Sequence, residues 1–417
     1  MSEKIKVFTI GDHPLSPSGV GTQSKYIIEG LLATGKYKFM SFGGAIKHPS
    51  HEPQTTEQWG EDWIIWPVDG YGTAEQVRAM IHQNKPDILW FMTDPRFYGW
   101  LWDIENEIRA HVPMVYYHVW DNFPAPMFNR PAYLSNDHIV CISKVTHEIV
   151  KAVSPEVDNS YLPHAVNGEI FQPMTDADRI SLRKEKGLHD KFVCVWNNRN
   201  ARRKMSGSLI YWFKEFLDKV GHDKACLIMH TDVKDQHGQD LEAIIHELGL
   251  IRGEILFSTL KIGAPDLAMM YNMGDLTINI SDAEGFGLAT LESLSCGTPI
   301  LVNMTGGLQE QVTDGENWFG IGLKPASKAV IGSQMVPYIY EDRVNKEEFL
   351  AALTELYEMG HEKRHALGEA GRQYVQEKYN FENFAKEWDK TLTAIHEKHG
   401  SWTTRTGYQK YEFKEIA

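Results

Sequence analysis

The chain has 417 residues, 42% hydrophobic and 24% charged, enough for roughly two or three domains and too apolar for a disordered segment. Its 42 basic and 56 acidic side chains give 42 − 56 = −14, a field that disfavours long-range capture of nucleic acid or an anionic membrane. No run approaches the roughly 18 apolar residues of a membrane span, and the first residues lead straight into a strand, so neither a transmembrane segment nor a leader is predicted. Cys141, Cys194, Cys226 and Cys296 are scattered without ligand spacing and read as reduced thiols of a cytoplasmic protein.

In chain order, residues 7–10 form a short apolar strand that runs into Gly11 and a Pro/Ser/Gly loop ending at Gly21. Tyr26, Ile27, Ile28, Leu31 and Leu32 then recur on one helical face. Strand, glycine loop and helix open a doubly wound α/β unit. Further strands are predicted over 39–42, 88–92, 114–118 and 138–142, with helices over 74–83 and 145–153. A second series follows, with strands over 192–196, 225–230, 254–257, 276–280 and 299–302. Helices over 208–220, 240–248, 265–271 and 288–296 alternate with them, and residues 161–173 are a turn-rich linker between the series.

The chain from 346 to about 399 reads as helical, and the polar tail from Ser401 as loosely held. The expected domains are 1–165, 166–377, and a helix and tail over 378–417 that cross back to the first. Two parallel-sheet Rossmann-like domains would place a ligand cleft at the carboxyl ends of both sheets. Seven of the twelve tryptophans fall between Trp59 and Trp120, where core packing is favoured over stacking on sugars.

Ser18-Gly19-Val20-Gly21 suits close backbone approach to a ligand, but Ser24 takes the third glycine position and no acidic residue follows the second strand, which argues against NAD. Ser281-Asp-Ala-Glu-Gly-Phe-Gly-Leu-Ala-Thr-Leu-Glu is more informative. Gly285 and Gly287 bring the chain from a buried strand into a helix whose free amides and dipole suit a phosphate. Glu284 in the loop and Glu292 further along the helix address different parts of one ligand, as carboxylates suited to vicinal hydroxyls. Asp176-Ala-Asp178 reads as the acidic first turn of a helix rather than a metal motif.

These residues resemble the Glu-x7-Glu signature of retaining glycosyltransferases of the GT-B fold, in the large family four (glycosyl transferases group 1). Asn198-Arg199-x4-Lys204 is similar to that family's Gly-Arg-x4-Lys-Gly, with Asn198 and Met205 in place of the glycines. Leu162–Asn167, Gly306-Gly307-Leu308-Gln309-Glu310 and Asp314-Gly315-Glu316-Asn317 resemble its linker and later turns.

The resemblance implies two Rossmann-like domains facing across a cleft, the second holding a UDP- or GDP-sugar. It gives Arg199, Lys204 and the amides near Gly287, Leu288 and Ala289 to the diphosphate, Glu284 to the sugar, and counts Gly285 and Phe286 among the donor-binding residues. Glu292 then takes the ribose, Leu260, Lys261 and Ile262 the base, while Gly19, Gly21 and His118 contribute from the first domain. Arg202 and Arg203 are read as a solvated basic turn, and residues 324–343 as an accessory loop or oligomer contact.

No cofactor or metal is expected beyond the donor itself. The acceptor, a glycan, lipid, small molecule or protein, is unidentified; a nucleobase is disfavoured by the charge. A nucleotide-sugar epimerase, a phosphorylase or a non-catalytic binding protein on the same frame are the alternatives. A glycosidase has no use for paired cations at a helix amino end.

Overall fold

Short apolar strands separated by helices can bury both faces of a sheet only by pairing in parallel, and two sheets of this chain do so. The computed structural model describes residues 3–412. They divide into one unit of residues 3–165, 334–337 and 381–412, and a second of Val166–Ser333 and Tyr338–Asn380.

The first unit holds strands β1 (Ile5–Asp12), β2 (Tyr37–Gly44), β3 (Gln54–Thr55), β4 (Trp63–Pro67), β5 (Ile88–Met92), β6 (Met114–His118), β7 (His138–Cys141) and β8 (Asn159–Tyr161). They lie in the order β3-β4-β2-β1-β5-β6-β7-β8, and only the short β3 is antiparallel. Of the seven tryptophans from Trp59 to Trp120, Trp63, Trp90 and Trp120 are buried in the core, and Trp59, Trp66, Trp100 and Trp102 are half-buried.

The second unit holds β9 (Phe192–Asn197), β10 (Ala225–His230), β11 (Ile255–Ser258), β12 (Leu276–Asn279), β13 (Ile300–Asn303) and β14 (Gly320–Leu323), all parallel, in the order β11-β10-β9-β12-β13-β14. From β9 the chain winds outward through β10 and β11, then returns to place β12 against the other side of β9. That reversal leaves a crevice at the carboxyl ends of β9 and β12, where connecting loops diverge. Helix Ser206–Val220 covers one face with Leu209, Ile210, Phe213, Phe216 and Leu217, an apolar stripe at helical spacing.

The structure departs from the sequence reading in four places. β3, β4, β8 and β14 are additional strands; β14 carries Gly320 and Gly322 where strands usually carry β-branched residues. Residues of the 324–343 stretch form an antiparallel hairpin, β15 (Ser327–Ile331) and β16 (Ile339–Arg343). The helical stretch from 346 is three helices, Lys346–Glu358, Gly360–Lys378 and Phe381–His399, with Gly360 at φ +78° at the first break. The last of these packs on helix Gly19–Leu32, where the Tyr26 and Phe381 rings meet edge to face.

The tail expected to be loose is instead pinned to the first unit. Ser401 donates to Asp87 at 2.6 Å, the Trp402 indole to the Pro86 carbonyl at 2.8 Å, and the Tyr411 hydroxyl to Glu105 at 2.9 Å. Arg405, with 3% of its side chain exposed, reaches Asp137, 2% exposed, at 2.7 Å. Arg405→Ala leaves part of that buried carboxylate uncompensated, and urea unfolding should show a loss of about 3 kcal/mol. A loss no larger than that of an exposed arginine would show that the tail is not held by this pair.

Candidate functional site

The crevice at the switch between β9 and β12 draws on two loops. After β9 the chain makes a 3-10 turn, Arg202–Lys204, before helix Ser206–Val220. Asn200 fixes this loop, donating to the Gln239 carbonyl at 2.7 Å and accepting from Ser206 Oγ at 2.7 Å. Met205, where the family pattern carries glycine, sits at φ +59°, ψ +30°, left-handed backbone that a side chain strains. The strained residue follows Lys204 directly.

After β12, residues 281–287 lead into helix Leu288–Ser295. Gly287 is its N-cap at φ +93° and supplies no side-chain cap. The amides of Leu288, Ala289 and Thr290 precede the first intrahelical donor, Leu291 N, so this amino end is open. Beneath it, Gln311 donates to the Phe286 and Gly287 carbonyls at 2.8 and 3.2 Å, and Gly307 donates from its amide to Gly285 O at 3.2 Å. A Cβ on Gly307 would lie 2.7 Å from the Phe286 backbone, which excludes larger residues under this loop.

The two loops meet through Lys204 and Glu284. The ammonium, on a side chain 9% exposed, forms a hydrogen-bonded ion pair with the Glu284 carboxylate, 13% exposed. Asn279 donates to the same carboxylate oxygen at 3.3 Å. Burial works against the charged form of Glu284, but Lys204, Arg203 and Asn279 outweigh it and hold the carboxyl below the usual glutamate range. Lys204, Glu284 and the segment from Gly285 to Ala289 are therefore brought together as the sequence suggested.

Arg199 stands apart from this pair. Its guanidinium is paired bidentately with Asp235, at 2.6 and 3.1 Å, and lies 2.8 Å from His237 Nδ1 on an exposed surface. The arginine beside Glu284 is Arg203, which donates to the Ala283 carbonyl and is half-buried rather than solvated. Arg202 points elsewhere, onto Glu341. In a 3-10 turn three successive side chains fan out about the axis, so backbone direction rather than motif spacing selects the inward one.

Glu292 stands apart from Glu284 in state as well as place. Its carboxylate accepts from the Tyr271 hydroxyl at 2.9 Å, and that hydroxyl accepts from Asn197 Nδ2 at 2.7 Å. Burial pushes the Glu292 carboxyl up to about 7, with the Tyr271 hydrogen bond opposing. Residues 260–262 follow β11 as surface loop, with Leu260 78% exposed.

In the first unit, Ser18 caps the helix carrying Gly19 and Gly21, accepting from Gly21 N at 2.9 Å and donating to Asp12 at 2.6 Å. His118, at the end of β6, is fully buried with Nε2 2.6 Å from the Tyr133 hydroxyl. Burial lowers its pKa to about 3, so the imidazole is neutral at physiological pH. Gln311 and Tyr271 were not foreseen. Neither lies in a motif that marks it; each is defined by what it packs beneath.

A glutamate whose folded pKa lies above its unfolded value holds a proton that the unfolded chain releases. Stability then falls as pH rises from about 4.5 towards 7, for Glu292 by at most about 3 kcal/mol. Glu292→Gln should match the parent at pH 5 and exceed it at pH 8 in urea unfolding. Equal differences at both pH values would contradict this assignment.

Residues 178–374 match the family profile described as "Glycosyl transferases group 1". Among curated proteins, the chain is 29% identical over 188 residues to the GDP-mannose-dependent alpha-(1-6)-phosphatidylinositol monomannoside mannosyltransferase of Mycolicibacterium smegmatis, covering 43% of this chain and 47% of that protein. It is 30% identical over 186 residues to D-inositol 3-phosphate glycosyltransferase 1 of Catenulispora acidiphila, covering 43% and 41% respectively. These matches span less than half the length of either relative.

Among solved structures, sucrose-phosphate synthase from Thermosynechococcus elongatus superposes with a TM-score of 0.74 at 16% identity, over 95% of this chain and 100% of that one. Anabaena HepE in complex with UDP and glucose does so at 0.69 and 14%, over 94% and 100%. With two Rossmann-like sheets and these likenesses, the chain has the GT-B fold, and its residues 178–374 match the glycosyl transferases group 1 family.

Proposed function

We propose that this chain transfers a sugar from a UDP- or GDP-sugar to an acceptor hydroxyl, with retention at the anomeric carbon and without a metal. The observation that carries the reading is the buried Lys204–Glu284 pair at the β9–β12 switch, beside Arg203 and the open amino end of helix Leu288–Ser295. A diphosphate leaving group gains charge as the glycosidic bond breaks, and fixed cations with free amides stabilise that charge. Glu284 then accepts from the sugar hydroxyls once the phosphate competes for Lys204. Glu292 and Tyr271 serve the ribose, and the exposed 260–262 loop serves the base.

In the transfer, the bond from the anomeric carbon to the diphosphate breaks and a bond to the acceptor oxygen forms. The hydroxyl proton leaves with the nucleoside diphosphate, so charge and atoms balance. The first unit, with Gly19, Gly21 and His118, is assigned to the acceptor side and to the donor sugar. The GDP-mannose dependence of the M. smegmatis relative and the UDP and glucose held by HepE support a nucleotide-sugar donor. Four buried free cysteines support a reducing, cytoplasmic setting, and no helix among the described residues is long and apolar enough to cross a membrane.

Lys204→Ala and Glu284→Ala should each slow transfer by about 10²-fold or more, read as nucleoside diphosphate release at a temperature where the variant is still folded, although stranding the buried partner lowers the unfolding midpoint. A parental rate in either variant would remove that residue from the mechanism. EDTA should leave turnover unchanged; inhibition reversed by added Mg²⁺ or Mn²⁺ would overturn metal independence.

A further inference from the structure

The hairpin β15–β16 has no place in the chemistry so far, yet its second strand carries a run of charge that is almost wholly buried. Glu341 is 1% exposed and Asp342 3%. Both face the loops that build the site. The Asp342 amide donates to the Asp282 carbonyl at 2.7 Å, and the Asp282 amide donates to the Arg203 carbonyl at 2.8 Å. Two backbone rungs thus join hairpin, donor loop and cationic turn, with Asp282 in the middle.

Side chains repeat the connection. Glu341 binds the Arg202 guanidinium, with Nη1 at 3.0 Å, and also pairs with Arg343. Arg343 in turn lies 3.3 Å from Asp282. Asn303 donates to the carbonyls of both Ser281 and Asp342, at 2.8 and 2.7 Å, and Thr305 donates to the Asp342 carboxylate at 2.7 Å. Arg202 precedes Lys204 by two residues, and Asp282 precedes Glu284 by two. The contacts therefore grip each loop one step away from the ion pair.

We infer that the β15–β16 hairpin is a latch that holds the Arg202–Lys204 turn against the 281–284 loop, with Glu341 and Asp342 as positioning residues for Lys204 and Glu284. The inference rests on the reading of these loops as the donor site. Its physical content is preorganisation: Lys204 stands at a strained junction before Met205, and a turn under strain keeps its geometry only when its surroundings over-determine it. Electrostatics alone predicts the opposite sign from a latch. Glu341→Gln removes an anion near the diphosphate site, which by Coulomb's law should tighten an anionic ligand; a loosened latch should weaken it.

Hydrogen exchange in the ligand-free protein decides the latch directly. Glu341→Gln should speed exchange of the amides in 201–205 and 281–285 by about tenfold, while helix Ser206–Val220 keeps its protection. Thr305→Val, which is close in shape and leaves the formal charge unchanged, should do the same to a smaller extent and serves if Glu341→Gln does not fold. Unchanged exchange in these two stretches overturns the inference, whatever the protein binds.

Calorimetric titration with UDP and with GDP supplies the second readout. Binding to Glu341→Gln should be about tenfold weaker than to the parent, the scale usual for partners one step removed from a ligand. Equal or tighter binding overturns the latch. A parent that binds neither nucleotide counts against the donor reading, and the exchange result still decides the latch.

Discussion

The site depends on one buried ion pair, Lys204 with Glu284, and on the topology that makes it meet. The lysine comes from the loop after β9 and the glutamate from the loop after β12, strands distant in sequence but adjacent in the sheet because the winding reverses between them. A buried ammonium or carboxylate alone would be costly, so each makes the other tolerable. Neither has a neutral substitute that leaves the second unburdened. The consequence is a cation held in place and nearly out of water, where its effect on a neighbouring anion is strongest.

Around that pair the molecule separates two glutamates that the motif presents as equivalent. Glu284 is kept ionised by Lys204, Arg203 and Asn279, whereas Glu292, facing Tyr271, is pushed up to about 7 by burial. Environments that drive two carboxyls apart mark different tasks. One is a permanent acceptor beside the cations; the other changes its hydrogen-bonding character around neutral pH. The left-handed Met205 adds backbone strain at the same place, and strain of this kind persists where surrounding contacts enforce it.

Much of this was legible before any coordinates. The strands of both parallel sheets that carry the site loops lie within a residue or two of their predicted spans, because buried strands between glycine turns and amphipathic helices leave few alternatives. Lys204 and Glu284 could be named because residue type, order and the strand–loop–helix frame all agreed. What escaped was set by packing. β14 has glycines where a strand pattern wants branched side chains, and the tail looks polar because its anchors, Ser401 and Arg405, find buried acidic partners in the fold. Arg199 was preferred over Arg203 because the motif counts residues, while a 3-10 turn aims them. The charged 324–343 stretch looked unassignable for the same reason: its Glu341 and Arg343 acquire meaning only beside Arg202 and Asp282.

The central claim is that a nucleoside diphosphate seats its phosphates at the Lys204–Glu284 pair and the amino end of helix Leu288–Ser295. A crystal structure of the chain with UDP or GDP bound tests it most directly. Phosphate oxygens should lie within about 3 Å of Lys204 Nζ and of the Leu288 and Ala289 amides, with Glu284 turned away from the lysine. A diphosphate bound at any other surface, with the Lys204–Glu284 pair intact, would contradict the account.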